Sequence, residues 1–165
     1  MRRTPATDQY WQAFAAATAI RAADYDVVAF GDSPGLADEL AALALAGTKR
    51  ATACLLRDVT VAGEPMPRVG GHVVVVDGAG IPCCIWRTTE VTVKPLVQVD
   101  DAFAWDEGEG DRTRADWLDG HRRYFARQAE REGFAFDDGI ETVFERFIIV
   151  WPPDAADSSP GAHHS

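Results

Sequence analysis

The sequence predicts an α+β fold built on a mostly antiparallel, barrel-like sheet, and three observations lead there. The strand-like segments cluster instead of alternating with helices in repeating βα units. His72 to Asp77, with four consecutive valines, is followed by a Gly78-Ala79-Gly80 turn and a long run from Ile81 to Val93, the pattern of an extended hairpin. Glu141 to Trp151 supplies a last strong strand.

Taken in order, Thr4-Pro5 or Thr7-Asp8 starts a first helix expected to run to about Ala22, with Tyr10, Trp11, Phe14, Ala17 and Thr18 as its inward stripe. Val27 to Phe30 is a short apolar strand. A second helix follows with strong end signals. Ser33 is a good N-cap, Pro34 suits the first helical position, and Asp38 and Glu39 lie early. Leu36, Leu40 and Leu43 give it a buried face, and Gly47 is a natural left-handed stop. Lys49 to Arg57 reads as the next strand, and the Gly- and Pro-rich segment from Val61 to Gly71 as a loop.

After the hairpin, Val99 to Asp111 is a short helical piece ending in an acidic glycine loop. Thr113 and Asp116 resemble a capping box opening a helix that Gly133 stops. Trp117, Leu118, His121, Tyr124, Phe125 and Gln128 share its inner arc. Residues 1–24 are thus expected to form a helical extension packed on a domain spanning 25–153. Residues 154–165 form a polar tail expected to be disordered.

At 165 residues the chain is long enough to bury a core. No apolar run approaches the ~18 residues a membrane helix needs. Ala13 to Ile20 is apolar but amphipathic, unlike a leader h-region, so a cytoplasmic location without membrane association is expected. Cys54, Cys83 and Cys84 are too few and too clustered for a disulfide framework, and they lack zinc-site spacing. The formal net charge of −10 argues against a general nucleic-acid coat protein, while leaving room for a local basic cleft or a nucleoside-sized ligand.

Lys49 and Lys94 are the only lysines, the other basic residues being arginine. An amine differs chemically from a guanidinium, because a buried lysine can be tuned toward general-base duty. Lys49 stands three residues before Thr52. Either it caps a helix C-terminus while Thr52 serves as a strand former, or the amine and hydroxyl act together on a polar ligand. On a flat strand the two point to opposite faces, so cooperation requires Lys49 to lie in the turn or a bulge to intervene.

Glu107, Glu109 and Asp111 alternate with glycines. They fit a solvated acidic loop better than a divalent-cation loop, because Arg112 stands where a calcium loop needs glycine. One of these carboxylates pointed at Lys49 would hold both in place. His121 is either a satisfied core histidine or, with Tyr124, a contact for a base. Arg123, Arg127 and Arg131 form either a solvated, partly paired face or a phosphate track.

The run Phe30-Gly-Asp-Ser33, the capped helix and Gly47-Thr-Lys-Arg-Ala-Thr52 resembles the ASCH domain, a branch of the PUA-like superfamily. Arg68-Val-Gly70 before the valine strand, Ile85 to Val93, and Phe103 to Asp111 with Trp117 and His121 extend the likeness. Glu145-Arg-Phe147 completes it. The resemblance implies a small PUA-like β-barrel flanked by helices, a cleft near Lys49, and RNA or a modified nucleoside as partner. In small bacterial relatives that hydrolyse N4-acylated cytidine, a lysine, a threonine three residues on and a later glutamate are assigned to catalysis. Lys49, Thr52 and Glu107 match that motif. Asp32, Ser33, Arg50, Glu109, His121 and Tyr124 are the expected binding residues, with no metal and no cofactor. Other relatives are RNA-binding or RNA-cleaving, so an RNA-binding module or ribonuclease using the same cleft is the alternative.

Overall fold

The computed structural model describes residues 1–21 and 24–157. Asp26–Ala29 (β1), Ala51–Leu55 (β2), His72–Val76 (β3), Pro82–Pro95 (β4) and Glu141–Trp151 (β5) form one curled, half-barrel sheet in the order β1-β3-β4-β5-β2. Every pairing is antiparallel except β1 with β3. The valine strand β3 is buried along its whole length because it lies between β1 and β4. Two irregularities in the β4–β5 register, at Ile85/Trp86 and Thr88/Glu90, mark where these long strands depart from regular pairing.

The helices are Pro5–Thr18 (α1), Pro34–Leu45 (α2), Leu56–Thr60 (α3), Asp101–Glu107 (α4) and Arg114–Glu132 (α5). Their caps follow the local chemistry. Ser33 Oγ accepts from the Leu36 amide, Asp100 from Phe103, and Thr113 Oγ1 from Asp116. Three apolar clusters pack the elements together. Trp11 and Phe14 of α1 meet Tyr25, Val27, Val74 and Ile85. Leu40 and Ala44 of α2 lie on Phe30, Trp86 and Phe147, whose rings stack in that order. Trp117, Leu118 and Phe125 of α5 join Phe103, Leu55 and Phe144.

The structure corrects three expectations. Helix α1 ends at Thr18, with Ala19 left-handed at φ 55°, and Ala22 lies outside the described residues. Ala17 and Thr18 are exposed, while Thr7 is buried because its hydroxyl bridges Thr4 and the Tyr25 phenol. The second strand spans only Ala51–Leu55. Lys49 and Arg50 belong to the preceding connection, where the Lys49 amide donates to Leu43 and the Arg50 amide to Asp106. Arg57 belongs to α3.

Of the expected tail, 158–165 lie outside the described residues. Ala155 packs against the core, and Asp157 accepts from the Arg50 guanidinium at 2.6 Å and the Ile149 amide at 2.8 Å. Among the described residues, no helix is long and apolar enough to cross a membrane.

Candidate active site

Helix α2 ends with Gly47 at φ 89°, and the chain doubles back so that the Thr48 and Lys49 amides both donate to the Leu43 carbonyl. This tight connection meets the condition for cooperation, since Lys49 lies in the turn and Thr52 on the strand. Both line one cavity of about 590 Å³. Its walls include Phe30 and Leu40, Thr52 and Cys54 of β2, Trp86 and Thr88 of β4, Glu145 of β5, and His121 and Tyr124 of α5.

The Lys49 ammonium is 1 % exposed and spends its donors on three acceptors. These are the Ala51 carbonyl at 2.8 Å, Glu109 Oε2 at 2.9 Å and Glu107 Oε1 at 3.5 Å. It also lies 5.0 Å from the centre of the Phe30 ring. Glu107, 2 % exposed, is the hub: Oε1 faces Lys49 and His121, and Oε2 accepts from the Trp117 indole.

His121 Nε2 is 3.0 Å from Glu107 Oε1, and Nδ1 is 2.9 Å from the Trp117 carbonyl. Both neighbours only accept, so satisfying both requires a proton on each ring nitrogen. The His121 pKa is accordingly raised: burial disfavours the charged ring, but attraction to Glu107 and the bond between them prevail. Burial likewise pushes Glu107 upward, and the opposing His121 and Lys49 charges overcome it, holding this carboxyl well below its usual range. Glu109 moves the other way. Burial and the neighbouring Glu107 charge raise its pKa against the pull of Lys49. Two cations and two carboxyl groups thus form one compact cluster.

Glycine makes the cluster possible. Gly108, left-handed at φ 74°, separates Glu107 from Glu109, and a β carbon there would stand 2.4 Å from the Thr48 carbonyl oxygen. The end of α4 therefore presses directly on the lysine-bearing turn.

Not every expected residue joins the cavity. Ser33 is occupied as the α2 cap. Asp32 pairs with Arg127 and Arg131 on the flank of α5. The Arg50 guanidinium turns to the Ala44 and Lys49 carbonyls and Asp157, where it braces the turn. Asp111 stays exposed and holds Thr113, so the acidic loop is only partly a solvated one.

Glu107, Glu109 and His121 offer ligand atoms within 4.8 Å of one another, a metal-compatible spacing. The Lys49 ammonium already sits against both carboxylates, and both His121 nitrogens are committed, so protein groups meet the demand a cation would.

Sequence reasoning passed over Glu145 as a site residue. It is 6 % exposed, lines the cavity, and pairs directly with Thr52 across the β2–β5 ladder. The signal was present: Val143, Glu145, Phe147 and Ile149 share one face of β5, and a lone carboxyl among three apolar inward positions is out of character.

Comparison with known proteins agrees with this architecture. The family model for the ASCH domain matches residues 26–151. The crystal structure of an ASCH domain from Lactobacillus crispatus JV V101 superposes with a TM-score of 0.78 at 32% identity, over 89% of this chain and 92% of that one. That of a protein from Enterococcus faecalis V583, assigned to the DUF984 family, superposes with a TM-score of 0.80 at 29% identity, over 87% and 86%. No curated protein matches. With most of its length matched by the family model, the chain belongs to the ASCH domain family.

Proposed function

We propose that this ASCH domain protein is an amidohydrolase that removes the acyl group from an N4-acylcytidine-type modified nucleoside. The observation that carries the reading is the buried Lys49 amine, held by two carboxyl groups at the wall of a nucleoside-sized, partly aromatic cavity that also contains the Thr52 hydroxyl.

Thr52 Oγ1 attacks the acyl carbon, and Lys49 takes its proton. All three Lys49 donors are engaged at rest, so the amine must first give one up. A proton passed across the 2.9 Å contact to Glu109 frees a lone pair. Glu107, with both oxygens bonded, orients Lys49 and His121. Tyr124 provides aromatic surface for the base.

The net charge of −10 suits a nucleoside without phosphates better than a polynucleotide. An RNA surface on α5 finds little support, since Arg123 pairs with Asp119 and both Arg127 and Arg131 with Asp32. The test is release of cytidine from N4-acetylcytidine by the purified protein. Wild type turns it over, Lys49→Ala and Thr52→Ala lose at least ~100-fold, and Thr52→Ser retains part of the rate. Equal turnover by wild type and Lys49→Ala overturns the reading.

A further inference from the structure

We propose that Glu145 is a further catalytic residue, the acid that protonates the departing nitrogen when the amide breaks; this rests on the amidohydrolase reading above. Thr52 and Glu145 are direct partners in the antiparallel β2–β5 ladder, so their side chains leave the same face of the sheet with β carbons ~5 Å apart. Both line the cavity. Glu145 is held in place from one side only. Thr88 Oγ1 donates to its Oε2 at 2.6 Å, and that hydroxyl in turn accepts from the Trp86 indole at 3.2 Å. Its Oε1 has no hydrogen-bond partner, and no cation lies within ion-pair distance, among the described residues.

A buried carboxyl with no positive neighbour favours its neutral form, and burial does raise the Glu145 pKa, with Asp26 adding to the effect and the Thr88 hydrogen bond and the nearby Trp86 indole opposing it. The contrast with Glu107 assigns the roles. Glu107 has both oxygens bonded, lies beside two cations and is held ionised, so it has no proton to give. Glu145 combines a latched oxygen with a free one next to the nucleophile.

The steps balance. Thr52 Oγ1 bonds to the acyl carbon as its proton passes to Lys49. The bond from that carbon to the exocyclic nitrogen breaks, its electron pair stays on nitrogen, and the Glu145 proton joins it, so the nucleoside leaves with a free amine. Water then adds to the acyl-threonine ester. Glu145, now a carboxylate, takes the water's proton, and Thr52 recovers its own from Lys49 as the carboxylic acid departs.

The experiment measures N4-acetylcytidine hydrolysis by wild type, Glu145→Gln and Glu145→Ala, the last with and without added sodium formate. Glutamine keeps the shape and an acceptor for Thr88 but has no acidic proton, so kcat and kcat/KM should fall together by at least ~100-fold with little change in KM. Alanine leaves space for a small acid, and formate should restore its rate in a concentration-dependent way while leaving Glu145→Gln unchanged. A glutamine variant within about threefold of wild type overturns the assignment while sparing the amidohydrolase reading. A loss that formate does not relieve in the alanine variant also overturns it, marking Glu145 as structural. Wild type inert toward the substrate overturns both.

Discussion

Gly108 approaches the Thr48 carbonyl so closely that a β carbon on it would stand 2.4 Å from the oxygen. Its backbone is also left-handed, so two independent constraints select glycine. Gly108→Ala is expected to cost about 2 kcal/mol or more from strain and steric displacement. It should also loosen the Lys49 cluster, because Glu107 and Glu109 flank the displaced residue. Thermal melting reports the first effect and N4-acetylcytidine turnover the second. A variant with wild-type melting temperature would contradict this account.

Removing Lys49 should destabilise the fold as well as stop turnover. Lys49→Met leaves Glu107 buried with one cation fewer, and breaking a buried ion pair from one side costs about 3–5 kcal/mol. Adding Glu107→Gln should recover part of the loss, because the unpaired charge goes with it. Urea unfolding of the two single variants and the double variant measures this coupling.

Stability should peak on the acid side of neutrality. The lowered carboxyl of Glu107 stabilises the fold above its ordinary value of 4.5, and that contribution is lost as the pH falls through the native value. The raised imidazole of His121 contributes fully below its ordinary value of 6.5 and loses that contribution as the pH rises through the native value. Glu109, raised instead of lowered, also weakens the fold as the pH climbs. A urea-midpoint series across pH should therefore fall on both sides, and His121→Gln should flatten the alkaline fall.

The segment after β5 braces the turn that carries Lys49. Asp157 holds the Arg50 guanidinium, and Arg50 holds the Ala44 and Lys49 carbonyls. Asp157→Ala removes two charge-assisted hydrogen bonds and should cost about 1–3 kcal/mol. Ending the chain before Asp157 should reproduce the loss in a denaturation curve.

Much of this architecture was legible in the residues. Helices α2 and α5 announced themselves through Ser33-Pro34 and Thr113 at their starts and through apolar spacing. The valine strand and its hairpin partner were equally plain. The parallel pairing of β1 with β3 was not, because it joins segments separated by two helices, a strand and a long loop. Continuing β2 through Arg57 followed its apolar run, but the chain turns into α3 instead.

At the site, the requirement that Lys49 leave the strand was foreseeable from side-chain alternation. The acidic loop read as solvated, with Glu109 expected to bind and one carboxylate to face Lys49, whereas both Glu107 and Glu109 meet the amine, with Gly108 packed against Thr48 between them. Arg50 looked like a ligand contact for the same reason it is a brace, since a guanidinium beside Lys49 has several acceptors within reach.

The Trp117 ring lies flat on the His121 imidazole, with centroids 3.7 Å apart and planes 11° from parallel, while its indole nitrogen bonds Glu107. A protonated imidazole in such a position quenches indole emission. The protein therefore carries its own fluorophore at the charge cluster, and titrating its emission, with Trp117→Phe as the blank for the other four tryptophans, would follow the ionisation of His121 without substrate or label.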